Sequence, residues 1–241
     1  MQDAIVIIPT FNEIENIEAI IRAVFSLEKA FNILVVDDNS PDLTGLKVKA
    51  LQKEFKDRLF LEIRQEKSGL GTAYIHGFKW CLERNYDYII EMDADFSHNP
   101  NDLERLYNTC HIDGVDVSIG SRYVKGVNVV NWPMSRVLLS YLASIYVRVI
   151  TGMKIHDTTA GFVCYKRAVL ENLDLDKIKF IGYAFQIEMK FKAHLRRFKI
   201  IEIPVIFTDR TKGESKLSGG IISEAIFGVI SMKFKSLLGK E

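Results

Sequence analysis

Little in this sequence points to a fold held together by covalent cross-links. Its cysteines, Cys81, Cys110 and Cys164, are odd in number, scattered and free of C-x-x-C spacing. Neither a disulfide framework nor a zinc knuckle is implied, and a reducing compartment fits best. Only 5 prolines interrupt 241 residues, and no linker-like tract or internal repeat marks a domain boundary. Charge of one sign is also missing: 32 basic residues against 31 acidic ones leave a formal net charge of +1. That balance carries no signature of a nucleic-acid binder and confines any charge argument to local clusters. The opening MQDAIVIIPT has neither the basic stretch nor the long apolar region of a secretory signal. No apolar run reaches the roughly 20 residues that span a bilayer; VLLSYLASIYV, between Arg136 and Arg148, comes nearest and is too short.

What the chain does have is a 48% hydrophobic composition, ample for a sizeable core. Apolar, β-branched runs recur as AIVIIP, FNILVVDD, LFLEIR, YDYIIEMD, VDVSIG and IIEIPVIF. Helix-like segments of ten or more residues separate the earlier ones, which predicts βαβ units and an α/β fold. Strands buried on both faces should be almost continuously apolar, and these are. The spacing predicts helices from Asn12, as N-cap, to Ser26, from Thr44 to Lys56, from Leu70 to Glu83 and from Asn101 to about His111. One domain over residues 1–217 and an amphipathic helix over 218–241 account for the chain.

Open α/β sheets bind ligands beyond the carboxyl ends of their strands, and polar clusters follow three of the apolar runs: PTFNE, DDNSPD and DADFSHNP. DDNSPD alone reads equally well as an ordinary turn. The first cluster lacks the G-x-G-x-x-G of a dinucleotide fold, and the G-x-G in SGLGTAY has Tyr74 where a third glycine belongs. No P-loop lysine motif is present. In DADFSHNP, an extended strand end would turn Asp93 and Asp95 to the same side with Ala94 between them. Two adjacent carboxylates repel unless a cation or proton sits between them, and hard divalent ions favour one or two carboxylates plus substrate phosphates. In isolation, D-x-D is more readily a solvated acidic turn.

The ordered set IIPTFNE, VVDDNSPDLTG, EKSGLGTAYIHGF, MDADFSHNP, GSRY, TAGFVCYKR, GYAFQIEM and DRTKGESKL resembles the family-two glycosyltransferases of GT-A fold. Within them it is most similar to the dolichol-phosphate (polyprenol-monophosphate) mannose synthases, from Ile5 to about Ile230. The resemblance implies a Rossmann-like, mostly parallel sheet flanked by helices. It implies a nucleotide-sugar pocket of Pro9, Phe11, Glu13, Val36, Asp38, Asp93, Ala94 and Asp95, with Asp38 on the base and a weaker claim for Asp37. Asp93 and Asp95 would hold Mg²⁺ or Mn²⁺ on the donor diphosphate, with Ser97 standing where relatives have Gln. Arg122, Arg136, Ser140 and Arg210 would bind a lipid phosphate, with Lys212 and Lys216 near Arg210, and Asp95, Arg122 and Arg210 carry catalysis in this reading.

The implied reaction moves mannose from GDP-mannose to a polyprenyl or dolichyl monophosphate with inversion. A phosphate acceptor is already anionic, so no general base is required. UDP-glucose or another nucleotide sugar remains an alternative donor, and a hydroxyl acceptor with Asp157 of HDTTAGF as base is the nearest rival. SRVLLSYLASIYVRVITG and GGIISEAIFGVISMKFKSLLGK read as helices able to lie on a membrane surface. In the second, Ile222, Ile226, Val229, Ile230, Phe234 and Leu237 form an apolar face, with Lys233, Lys235 and Lys240 near the headgroups. The resemblance implies that many relatives carry membrane segments or subunits, and the expectation here is a chain without such an anchor. The expectation is therefore a peripheral protein on the cytoplasmic face of a membrane, or one that borrows a membrane-protein partner.

Overall fold

The computed structural model describes residues 3–182, 184–209 and 219–239, with side chains of 219–226 left aside. Arg210, Lys212, Lys216 and Lys240 lie outside the described residues, as do the side chains of Ile222 and Ile226. The strands are β1 (Ala4–Thr10), β2 (Asn32–Asp37), β3 (Leu59–Ile63), β4 (Tyr88–Glu91), β5 (Val117–Ser121), β6 (Val129–Val130), β7 (Val163–Lys166), β8 (Ile200–Pro204) and β9 (Phe207–Thr208). The helices are α1 (Ile17–Phe25), α2 (Thr44–Leu51), α3 (Leu70–Glu83), α4 (Asp102–His111), α5 (Met134–Thr151), α6 (Arg167–Asn172), α7 (Ala184–Leu195) and α8 (Gly219–Leu237). Seven strands form one sheet in the order β3-β2-β1-β4-β7-β5-β8, and β6 pairs with β9 beside it. All pairings in the large sheet are parallel except those of β7, which runs antiparallel to both β4 and β5.

The near-continuous apolar strands are explained by two cores, one on each face of the sheet. Along β1, Ile5 and Ile7 point to one face, where they meet Tyr74 and Phe78 of α3 and Phe185 of α7. Ala4, Val6 and Ile8 point to the other, against Ile17, Ile20 and Val24 of α1 and Leu103 and Leu106 of α4. Helices on both faces leave the strand edge carrying Thr10, Asp37, Glu91 and Ser121 as the place where polar residues gather.

Three expectations change. Asn12 is not a helix cap: it sits at φ +58° and its N–H donates to Ser40 Oγ. The Glu13 N–H donates to Thr44 Oγ1, so the loops after β1 and β2 are laced together and α1 starts only at Ile17. The second helix is shorter than expected, ending at Leu51. IIEIPVIF is not one strand: after Pro204 the chain leaves the large sheet, and Phe207 joins β6 instead.

α8 packs against α5 and α7. Val229 is buried, Gly228 lies against Phe180, and Lys233 Nζ donates to the Thr151 carbonyl at the end of α5. Lys233 is therefore spent on closing a helix end, whereas the sequence reading assigned it to headgroups.

The G-x-G of SGLGTAY is a packing device. Gly69 has φ +102°, and a Cβ on Gly71 would stand 2.8 Å from the Phe180 carbonyl oxygen and 2.9 Å from the Phe185 ring. Gly71→Ala should therefore lower stability by about 1–3 kcal/mol, the usual range for overpacking a filled site. Urea denaturation checks this, and an unchanged midpoint would contradict the contact.

Candidate active site

β4 ends at Glu91, and the residues after it bend, with Phe96 at φ +60°. The D-x-D pair is thus set by a bend and not by the alternation of an extended strand. Asp95 is buried, and its Oδ1 accepts from the Ser97 N–H at 3.0 Å and the Ser97 hydroxyl at 2.6 Å. Ser97 therefore orients Asp95. The Asp93 side chain is 38% exposed. The Asp93 N–H donates to His98 Nδ1 at 3.1 Å. Burial lowers the His98 pKa to about 4, which keeps the imidazole neutral near pH 7.

These residues suit a shared cation better than a caged one. Among the described residues no group of three or more His, Cys, Asp or Glu could hold a metal ion. Two carboxylates and a hydroxyl form a hard, all-oxygen, incomplete set, which is what a Mg²⁺ or Mn²⁺ site completed by substrate phosphates requires.

A cavity of about 430 Å³ opens beside this bend, lined by Asp93, Ser97 and His98 at one side and by Arg122, Arg136 and Ser140 at another. Five of the site residues inferred from sequence therefore share one space. Its apolar wall comes from α5, including Leu139, Leu142, Ala143, Tyr146 and Val147. Leu139 and Leu142 are also 52% and 58% exposed, so the cavity wall is continuous with the outer surface of the protein.

Arg122 follows β5 and is held firmly. Its Nε and Nη2 donate to the two oxygens of Asp157 at 2.7 and 2.6 Å, its backbone N–H adds a third bond at 2.9 Å, and Nη2 also reaches Thr159 Oγ1. Burial alone would raise the Asp157 carboxyl, yet the charge and hydrogen bonds of Arg122 hold it below its ordinary value. Glu202 of β8 fixes the segment from behind, accepting from the His156 and Asp157 N–H groups at 2.7 and 2.8 Å. Arg136 and Ser140, one turn apart on α5, both face the cavity. Arg136 donates to Asp209 and lies 4.0 Å over the Trp132 ring.

The residues expected around the nucleotide lie after β1 and β2. Pro9 and Val36 are partners in register, Lys67 Nζ is 4.4 Å above the Phe11 ring, and Glu13 accepts from Asn16. Asp37 is taken up by Thr10 and Ser40 and ties the two loops together. Asp38 is gripped by the fork of Arg64, at 2.6 and 2.7 Å. Ala94 is buried.

The sequence reading missed Arg64, His98, and a buried chain beneath the cavity. In that chain Gln186 donates to Glu91 at 2.9 Å, while Lys190 Nζ donates to Gln186 Oε1 at 3.2 Å and to the Ala160 carbonyl at 2.6 Å. Burial raises Glu91 to about 8 and lowers Lys190 to about 8. The only signals available were that His98 follows D-x-D by three residues and that Gln186 sits in GYAFQIEM.

Residues 5–174 match the family described as Glycosyl transferase family 2. The chain belongs to glycosyltransferase family 2. It is 44% identical over 239 residues to the polyprenol monophosphomannose synthase of Mycolicibacterium smegmatis, covering 99% of this chain and 90% of that one. It is 44% identical over 223 residues to the undecaprenyl-phosphate mannosyltransferase of Micrococcus luteus, covering 92% and 90%. Among solved structures, glucosyl-3-phosphoglycerate synthase from Mycobacterium tuberculosis, in complex with Mn²⁺, UDP and glucosyl-3-phosphoglycerate, superposes with a TM-score of 0.70 at 15% identity, covering 96% of this chain and 80% of that one. The GT-A-type architecture expected from the sequence is thereby borne out.

The Arg122 pairing makes a stability test. Asp157 has a depressed folded pKa, so its contribution is present above the unfolded value near 3.8 and is lost as pH falls through the folded value. Asp157→Asn should cost about 3–5 kcal/mol at neutral pH by leaving a buried guanidinium uncompensated. Its deficit in urea midpoint relative to the parent should shrink in acid. A deficit that stays constant down to pH 2 would refute the assignment.

Proposed function

We propose that the protein is an inverting mannosyltransferase that moves mannose from GDP-mannose to a polyprenyl or dolichyl monophosphate. The product is a β-linked lipid-phosphate mannose. The carrying observation is the single cavity that joins Asp93 to Arg122, Arg136 and Ser140 and whose wall, Leu139 and Leu142, is also outer surface. An anionic head has cationic partners there, and an apolar tail has a way out. The names of the two relatives at 44% identity agree with this chemistry, and UDP-glucose is the alternative donor.

In this reading Pro9, Phe11, Glu13, Val36 and Asp38 hold the nucleoside, with Arg64 fixing the Asp38 carboxylate. Asp93 and Asp95 hold the divalent ion, Mg²⁺ or Mn²⁺, with Ala94 between them and Ser97 orienting Asp95. When bound, that ion neutralises charge on the departing diphosphate. Arg122, Arg136 and Ser140 seat the acceptor phosphate, and the family resemblance adds Arg210, which lies outside the described residues. A phosphate oxygen forms its bond to the sugar C1 as the bond from C1 to the diphosphate breaks, and the bonding pair leaves with the nucleoside diphosphate. The acceptor oxygen carries no proton to remove, so the chain's task is alignment and charge stabilisation. A hydroxyl acceptor is disfavoured because the carboxylate suspected as its base, Asp157, is committed to Arg122 by three hydrogen bonds.

Attachment to a membrane surface fits the same geometry. Although its uninterrupted apolar run is short, α5 as a whole, with Arg136 and Arg148 included, is long and apolar enough to cross a membrane by length and composition, and only 22% of it is buried. On α5, Met134, Leu138 and Val149 are exposed, and on α8 Phe227, Ile230, Phe234 and Leu237 are exposed. Two packed helices that both expose large apolar side chains suit peripheral insertion into a cytoplasmic leaflet. A separate membrane subunit is the alternative.

Incubation with a panel of nucleotide sugars, Mn²⁺ or Mg²⁺ and a short polyprenyl phosphate, read by mass spectrometry and NMR, tests the reading. The expected product is lipid-phosphate mannose of β configuration, and an α product overturns inversion. Asp95→Ala should abolish transfer, whereas Arg136→Ala, which breaks a partly exposed pair with Asp209, should chiefly raise the acceptor KM. Full metal-dependent activity in Asp95→Ala would remove the cation assignment. Paired Leu138→Asp and Phe234→Asp changes should release the isolated chain from anionic vesicles in co-sedimentation. If the parent chain itself fails to co-sediment, the membrane subunit is favoured.

A further inference from the structure

One ring nitrogen of His98 has its role fixed by the backbone. The Asp93 N–H donates to Nδ1 at 3.1 Å, and an amide N–H can only donate, so in the neutral imidazole the proton resides on Nε2. The ring is clamped in that orientation. It stacks on Phe162 at 4.7 Å and 8° and meets Phe207 edge-on at 5.6 Å. Flipping it would set a carbon against the Asp93 N–H. Nε2 lies 4.0 Å from Asp93 Oδ2, beyond hydrogen-bonding range, and His98 lines the cavity shared with Asp93, Ser97 and Arg122. Arg122 approaches the same Phe207 ring, its guanidinium carbon 5.5 Å from the ring centre. A donor of fixed direction therefore lines the same cavity as the acidic bend and the arginine.

We propose that the His98 Nε2–H donates a hydrogen bond to a non-attacking oxygen of the acceptor phosphate monoester, orienting it toward the donor sugar. This rests on reading the cavity as the acceptor site. A neutral donor adds direction without bringing a second cation beside the carboxylates, a task distinct from that of Arg122. The sequence D-A-D-F-S-H then has two working ends. Its aspartates face the donor and its histidine faces the acceptor.

Two amides separate the ring's two nitrogens. His98→Asn places an oxygen near the Nδ1 position, able to accept from the Asp93 N–H, but does not reach the Nε2 position. His98→Gln reaches that position with an N–H donor. With GDP-mannose, Mn²⁺ and a short polyprenyl phosphate, His98→Asn should raise the acceptor KM roughly 10- to 100-fold, the loss expected for one hydrogen bond to a charged group. The donor KM should stay within about twofold of the parent, and His98→Gln should recover most of the loss. An unchanged acceptor KM in His98→Asn, a rise confined to the donor KM, or no rescue by Gln would each overturn the proposal while leaving mannosyl transfer intact. Absence of transfer by the parent protein would instead overturn the functional reading. A measurement independent of turnover and of variant folding is ¹⁵N-histidine NMR of the parent protein titrated with the short polyprenyl phosphate. The Nε2 resonance of His98 should shift on addition, and an unmoved resonance at saturating phosphate would sink the assignment.

Discussion

The site depends on one buried ion pair. Arg122 leaves the end of β5 with both arms on Asp157, and Asp157 is itself pinned through its N–H to Glu202 on β8. Two strands and the segment before β7 are locked by this single junction. Desolvating a guanidinium and a carboxylate is costly unless geometry is excellent, and here three hydrogen bonds and the rings of Trp132 and Phe207 around the guanidinium meet that condition. The result is a cation held in the cavity wall by the protein's own groups.

A second buried assembly complements it from below. Glu91, Gln186 and Lys190 run from the strand that precedes the acidic bend to the backbone of Ala160. Gln186 mediates, giving its N–H to the Glu91 carboxyl and accepting from Lys190 Nζ, so the two groups are bridged without direct contact. The bend after β4 and the loop after Asp157 are thus referred to a common floor, and Gln186 itself reaches the cavity.

Much of this was legible in the sequence wherever a feature is local. Continuous apolar runs disclosed β1, β2 and β4, and α3 begins and ends at the expected residues because Leu70 to Glu83 carries helical periodicity between clear breaks. β7 went unread as a strand: VCYK is four residues long and passes straight into α6, leaving no turn signal. The polar cluster after β4 singled out Asp93 and Ser97, the family resemblance singled out Arg122, Arg136 and Ser140, and all five line one cavity. The partners that fix those side chains were not legible. Asp38 and Arg64 are 26 residues apart, Arg122 and Asp157 are 35 apart, and Glu91 and Gln186 are 95 apart. Only the folded sheet brings such pairs together, and no periodicity announces them. The bend at Asp93 was hidden for a related reason: strand alternation describes β4 only as far as Glu91.

The shared wall of Leu139 and Leu142 bears on which acceptors the protein would distinguish. A chamber of about 430 Å³ is too small to enclose a long isoprenoid, but a chamber open along its flank has no need to. Its capacity limits the headgroup and the first few carbons, while the remainder stays outside in whatever medium covers α5. Under the proposed activity, chain length and remote unsaturation go unmeasured, and selectivity falls entirely on the end that reacts.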